Sequence, residues 1–319
     1  MNQEFNEALQ ERRPATIAVE FAVFLVIILV TILGNTLVCV AIYRQPRLRS
    51  TTNYYVVALA VLDILTAALT MSLTLGVVLT GRWPYGDTLC QIQGYLVPQF
   101  GFAAIIIMFL ISLNRYVKII KSASYSKYFS HRKTIASILF ALVSAVVGVF
   151  MLKTKFKFDP GKLFCFVDGE NISRFASLAV ALLFFVLPFA LMCFFYLKIY
   201  LKIRHHKKQT AHMRRGPSTN DINATKTLFA VLLAFVLCYM QIPVIEAVRM
   251  FHGRLPREVF VFYSVMGGVS SAINVFIYHA MNSAFRAEFK AILRCSRRIV
   301  VHPVATSCDT GITLQTRSN

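Results

Sequence analysis

Residues 18–43 read AVEFAVFLVIILVTILGNTLVCVAIY, a run with a single charged side chain, Glu20, near one end. As a helix it would extend about 39 Å at 1.5 Å per residue. The hydrocarbon core of a bilayer is about 30 Å thick and takes roughly 20 apolar residues to cross. Backbone polar groups find no water there, so each must pair within its own segment or in a closed barrel. Barrel strands alternate apolar and polar residues, and this run does not alternate, so it reads as a membrane-crossing helix.

Six further stretches repeat the pattern, near Tyr54–Leu79, Gly94–Leu113, Ile135–Leu152, Phe175–Ile199, Leu228–Val248 and Val259–Met281. Hydrophobic residues make up 57% of the 319, and the mean hydropathy of +0.61 places the chain outside the soluble class. The expected fold is an all-α membrane protein, a seven-transmembrane helix bundle over residues 18–281. Residues 1–17 hold no apolar core of a cleavable signal and are expected to form an extracellular N-terminus.

The formal charge of +20 is not spread as a nucleic-acid surface would be. Lys and Arg gather in alternate connections, among them Arg44, Arg47, Arg49, Lys121, Lys127, Lys207, Lys208, Arg214 and Arg215. The positive-inside rule then places these in the cytoplasm and the N-terminus outside, in a multi-pass protein of the plasma membrane with lipids as its surroundings. The connection after the fourth span departs from the rule, because Lys153, Lys155, Lys157, Lys162 and Arg174 make an outer loop basic. Cys90 and Cys165 both fall at the oxidising outer face and are expected to form a disulfide. Cys295 lies on the inner side where palmitoylation occurs. Asn171-Ile172-Ser173 is an outer glycosylation sequon, whereas Asn223-Ala224-Thr225 faces the cytosol and should be bare.

Ionisable groups in hydrocarbon are costly, and Asp63 is the only acid near the middle of a span. Either it anchors neighbouring helices or it is a switch, and Ser271 and Asn274 on the last span offer further oxygens that suit Na⁺. Tyr239 and Gln241, with Ser270, Asn274 and Tyr278, form a polar set among apolar neighbours. Pro188 and Pro243 remove helix hydrogen bonds and allow kinks, so the bundle is suited to two packings.

These residues resemble the motifs of class A, rhodopsin-like G-protein-coupled receptors, from Gly34 to Phe289. Gly34-Asn35 with Val38 resembles the first-helix motif and Leu59-Ala60-Val61-Leu62-Asp63 the second; Trp83 and Cys90 follow. Asn114-Arg115-Tyr116 stands where the family carries Asp-Arg-Tyr. Pro188 with Tyr196, Phe235 with Cys238-Tyr239, and Asn274-Val275-Phe276-Ile277-Tyr278 resemble the fifth, sixth and seventh helix motifs. Each alone is weak, and their order and spacing together are specific. The triplet Asn114-Arg115-Tyr116, a seventh-helix motif with Val275 for proline, and Ile119, Ser122, Tyr125, Lys127 and Ser130 are similar to melatonin-type receptors.

The resemblance implies a receptor that passes an extracellular ligand signal to a heterotrimeric G protein. It implies coupling and switch residues Asn114, Arg115, Tyr116, Tyr196, Asp221, Asn274 and Tyr278, with Asp221 facing Arg115. It implies an Na⁺ site at Asp63, Ser271 and Asn274, weakened by Ala104 where Ser is frequent, and no other cofactor. A short amphipathic helix is expected over 282–295 and a disordered cytoplasmic tail over 296–319. Tail hydroxyls Thr306, Ser307, Thr310, Thr313, Thr316 and Ser318 suit receptor kinases and arrestin. The ligand pocket is placed at Gln99, Tyr239, Gln241, Glu246 and Tyr263, a mixed aromatic and polar set.

The ligand end departs from the melatonin type, with Val167 and Gly169 after the outer-loop cysteine where Phe and Gln are usual, and no Asn in the fourth span. Melatonin is therefore not carried over. Val97 in place of Asp argues against an amine ligand, and the absence of Lys from Val259–Met281 argues against retinal. A constitutively active, ligand-independent receptor is the alternative. An odd span count, no evident repeat and one central acid argue against a transporter or channel. No metal-ligand spacing on a span supports an enzyme.

Overall fold

The computed structural model describes residues 2–152, 155–167, 174–209, 219–241, 244, 245, 248 and 255–301. Among them seven helices are long and apolar enough to cross a membrane: Pro14–Arg44, Thr51–Thr80, Gly86–Ile120, His131–Met151, Leu178–His205, Asp221–Tyr239 and Arg257–Met281. They are called the first to seventh spans below. Most run past the apolar stretch that marks them, because polar residues just outside the hydrocarbon start and cap the helix. Pro14 occupies the first turn of the first span, where its missing N–H would have no partner anyway. Ser50 and Ser130 cap the second and fourth by accepting from Asn53 N and Lys133 N.

The third span packs against the second, fourth, fifth and sixth and is the axis of the bundle. Its side chains Ile105, Ile107, Met108 and Ile111 are buried. Leu33, Phe140, Phe150 and Leu237 are exposed on the outside, as the apolar surface of a lipid-facing bundle requires.

Two spans contain π turns. In the fifth, Leu182–Val186 precedes Pro188, whose missing N–H and ring clash with the carbonyl four residues back favour a wider turn. The second has no proline at Thr66–Met71. There the Thr66 hydroxyl donates to Leu62 O at 2.8 Å and the Thr70 hydroxyl to Thr66 O at 2.6 Å, drawing carbonyls away from the regular ladder. Gln93 of the third span then donates to Thr70 O at 2.9 Å.

The connection after the fourth span folds into an antiparallel hairpin, β1 Phe156–Asp159 and β2 Phe164–Val167, with Phe158 opposite Cys165. Asp159 Oδ1 accepts from Gly161 N and Lys162 N and forms the turn. The Cys90–Cys165 disulfide joins β2 to the third span. Gln91 exchanges two hydrogen bonds with the Phe156 backbone, and Cys165 N donates to Gln93 Oε1 at 2.8 Å. The hairpin lies so close to the third span that a Cβ on Gly94 would meet Phe156 Cβ at 2.4 Å.

Two terminal elements add to the sequence reading. Within residues 1–17, Asn2–Gln10 is a helix, with Leu9 buried among Phe24, Met71, Val77 and Leu163. After the seventh span a helix covers Ser283–Val301, past the expected limit at residue 295, since no proline occurs before Pro303. Asn282 caps it through Oδ1 to Ala284 N, and Phe285 and Phe289 bury its apolar face.

Candidate ligand cavity and coupling end

A cavity of about 760 Å³ opens inside the bundle beneath the hairpin. The third span lines it with Gln93, Val97, Pro98, Phe100, Gly101, Phe102 and Ala104; the hairpin supplies Phe158, Phe164 and Phe166; Tyr239, Ser270 and Ser271 close the far end with Asp63. Tyr239 stacks on Phe235 with ring centroids 4.2 Å apart. Of the residues expected to form a pocket, Tyr239 and Tyr263 line it. Gln99 and Gln241 are not among the lining residues. Gln99 is turned about 200° around the helix from Val97, at 100° per residue. The Gln241 amide instead donates to Cys238 O at 3.2 Å and Tyr263 O at 3.4 Å, between the sixth and seventh spans. Glu246, Asn171 and the tail hydroxyls lie outside the described residues.

Sequence reading passed over three groups here. Gln93, wholly buried, joins the second span to β2. Pro98 lies inside the third helix and lines the cavity. Lys162, in a stretch that reads as a solvated basic loop, has a side chain only 3% exposed. The alternation Lys155-Phe156-Lys157-Phe158-Asp159 was the one local sign of a strand in this connection.

At the cavity floor Asn274 Nδ2 donates to Asp63 Oδ2 at 3.0 Å, and Ser271 lies beside the carboxylate. Asn274 Oδ1 is buried and has no hydrogen-bond partner among the described residues. Asn35 reaches across from the first span, donating to Thr31 O and Ser271 O at 3.0 Å each. Beside it, a Cβ on Gly34 would meet Val275 Cγ1 at 2.7 Å, so the absent side chain makes room for the valine of the seventh span.

The opposite end of the bundle holds the triplet. Asn114 accepts from the Thr52 hydroxyl at 2.6 Å and donates to Tyr125 Oη at 3.1 Å, and Tyr125 also meets the Thr51 hydroxyl at 2.6 Å. Tyr116 stacks on Phe195 of the fifth span with centroids 4.9 Å apart. Arg115 is buried, and its Nη1 is 3.9 Å from Asp221 Oδ1 at the start of the sixth. The closer partner of Asp221 is Lys118, at 2.7 Å, three residues after Arg115 on the third span. Tyr196 and Tyr278 are buried nearby, Tyr278 stacking on Phe285 of the terminal helix. Cys295 lies on that same helix.

Residues 34–278 match the family described as 7 transmembrane receptor (rhodopsin family). The chain belongs to that family. Its relatives include melatonin receptor type 1A of Gallus gallus, 29% identical over 293 residues that make up 88% of this chain and 82% of the relative. Melatonin receptor type 1B-B of Danio rerio is 30% identical over 313 residues, 93% of this chain and 89% of its own. Melatonin receptor type 1A of Phodopus sungorus is 29% identical over 292 residues, 88% and 82% respectively. The protein is thus a multi-pass, G-protein-coupled receptor and not an enzyme, and the Cys90–Cys165 bridge is present as expected.

Proposed function

We propose that this receptor binds a small molecule in the cavity beneath the hairpin, at the extracellular side, and answers by opening the Arg115 end to a G protein at the plasma membrane. The observation that carries the reading is a row of polar groups along the seventh span. Ser270, Ser271 and Asp63 meet the cavity, Asn274 bonds Asp63, and Tyr278 follows one turn later, buried as Tyr196 and Arg115 are. A ligand that favours one packing of this span changes the population of the whole bundle by its differential affinity.

The relatives are melatonin receptors, yet the cavity presents Val167 where the melatonin type carries Phe, so the ligand need not be an indole amide. Asp63, Ser271 and the unpartnered Asn274 Oδ1 supply three oxygens that fit Na⁺, with none from Ala104. When bound, the ion would neutralise Asp63 and favour the closed packing. A receptor with substantial basal activity is the second reading, favoured by the 3.9 Å separation of Arg115 and Asp221, which is loose for a latch.

Nucleotide exchange on purified heterotrimeric G proteins, with the full-length receptor in lipid nanodiscs, tests the proposal. Exchange should rise above protein-free discs for at least one G-protein class. Arg115→Ala should abolish it, because the side chain is the buried cation the opened end would present. Full exchange by a folded Arg115→Ala receptor would place the coupling surface elsewhere.

A further inference from the structure

A second cavity, of about 410 Å³, lies at the Arg115 end, where the third span meets the fourth and the short connection between them. Leu110, Leu113, Val117 and Lys121 line it at three- or four-residue spacing, so they share one face of the third span, apolar within the membrane and ending in a cation where the helix stops. Lys133 faces it from the first turn of the fourth span. Phe129 supplies the loop side and stacks on Tyr125 with centroids 5.5 Å apart. Tyr125 in turn meets the Thr51 hydroxyl and accepts from Asn114, so this wall is tied to the second and third spans.

The charge at this rim is one-sided by sequence as well as by structure. No Asp or Glu occurs between Asp87 and Asp159, a stretch that takes in the rest of the third span, this connection and the fourth span. In the other connections and the tail on the same side the acids are Asp221, Glu288 and Asp309. Asp221 pairs with Lys118 and Arg115, and Glu288 with Arg44. Among the described residues neither Lys121 nor Lys133 is joined to a carboxylate, and both are exposed. Lys133 Nζ donates to Lys127 O, which leaves two of the three donors of its ammonium.

An apolar slot at membrane depth with two cations where the helices reach the headgroups complements an amphiphile of opposite charge standing in the bilayer. We propose that this cavity is a site for one anionic diacyl phospholipid of the adjoining leaflet, its phosphate at Lys121 and Lys133 and part of an acyl chain along Leu110, Leu113 and Val117. The site is separate from the outer cavity and does not depend on what that cavity binds. Its occupant lies against Tyr116, which also lines the slot and stacks on Phe195 of the fifth span.

The test is fluorescence quenching by phospholipids with brominated acyl chains, on the full-length receptor in dioleoylphosphatidylcholine nanodiscs. The chain has a single tryptophan, Trp83, in the first outer connection, so Phe129→Trp adds a reporter at the slot and the unaltered receptor supplies the background. Leu113→Trp is a second reporter should the first variant fail to fold. Each lysine adds about a fivefold preference for an anionic lipid, so brominated phosphatidylglycerol should quench half-maximally at about a twenty-fivefold lower mole fraction than brominated phosphatidylcholine. Lys121→Gln and Lys133→Gln should each reduce that ratio about fivefold. Lys290→Gln removes an equal charge from the exposed side of the terminal helix, away from the slot, and should leave the ratio unchanged. Excess glycerol 3-phosphate, a headgroup without chains, should not restore the fluorescence.

Equal quenching by the two lipids, or a preference that survives replacement of both lysines, would overturn the proposal. A loss as large in Lys290→Gln would assign the effect to the diffuse charge of the whole face and overturn it too. Displacement by glycerol 3-phosphate would make the slot a site for a soluble phosphate and not for a lipid. The quenching reads no coupling, so its outcome is independent of nucleotide exchange.

Discussion

Asp63 is the residue whose environment is most specific to a transducer. Its carboxylate accepts from Asn274 with Ser271 beside it, and the remaining oxygen of Asn274 is buried without a partner among the described residues. That orphan acceptor has a physical cost of about 1–3 kcal/mol, which an ion or water placed between the two side chains would recover. The sodium reading leads to a single-residue prediction. Basal nucleotide exchange should be lower in NaCl than in KCl at the same ionic strength, because an ion held by the closed packing draws population toward it. With Ala104 giving no oxygen, the difference should stay below about tenfold, equivalent to 1.4 kcal/mol. Asp63→Asn keeps the hydrogen-bonding shape and loses the charge, so its exchange should be the same in both salts. A sodium response surviving in that variant would show that the ion acts elsewhere.

Among the elements, the N-terminal helix is the one with most dependence on a few side chains. Glu20 accepts from Arg12 at 2.5 Å and from Arg257 of the seventh span at 2.8 and 3.0 Å, and Arg12 also donates to Leu9 O and to Val78 O of the second span. All three charged side chains are nearly buried, so removing the Glu20 charge leaves both guanidiniums without their carboxylate, at a cost of up to about 3–5 kcal/mol. Glu20→Gln should therefore speed amide exchange across residues 2–10 and lower the melting temperature by several degrees. Unchanged protection there would mean that Leu9 and Phe5, which packs edge-on against Phe260 at 5.4 Å, suffice to hold the helix. None of this was legible beforehand. The spans were, because an apolar run longer than the bilayer has few alternatives. Asn2–Gln10 is short and polar on average, and Glu20 sits at the edge of a run where an acid ordinarily reaches the headgroups. The π turn at Thr66–Met71 depends on two threonines and a glutamine from another helix, a long-range arrangement with no local marker. Lys162 escaped for the same reason, since its burial follows from the hairpin register and the Ser264 bond, whereas in one dimension it is one lysine among several. Of the site, Asp63 with Asn274 was readable because intramembrane polar groups are rare, and the triplet end because its motif resembles that of the receptor family.

At the scale of the whole molecule, the two ends of the bundle differ in how firmly they are held. The hairpin end is fixed by a disulfide, by Gln91 and Gln93, and by the Glu20 cluster. Among the described residues, the carboxylate that joins the third and sixth spans at the Arg115 end is Asp221, whose side chain is 30% exposed. Asp221 is 2.7 Å from Lys118 and 3.9 Å from Arg115, so two cations on one helix compete for it. A pair this exposed is worth about 1 kcal/mol at most, not enough to form the switch alone but enough to move a two-state ratio several-fold. The competition gives the two partners opposite signs. Asp221→Asn removes the cross-link to both cations and should raise basal exchange roughly fivefold. Lys118→Gln removes the better-placed competitor, leaves Asp221 to close on Arg115, and should lower basal exchange by a similar factor. If Asp221 merely favours the start of the sixth span through the helix dipole, Asn costs little and Lys118→Gln does nothing. If the whole charge cluster simply braces the bundle, both variants rise together. Basal exchange measured in nanodiscs at matched receptor content distinguishes all three, and a shift of both variants in the same direction would leave Arg115 without the restraint assigned to it.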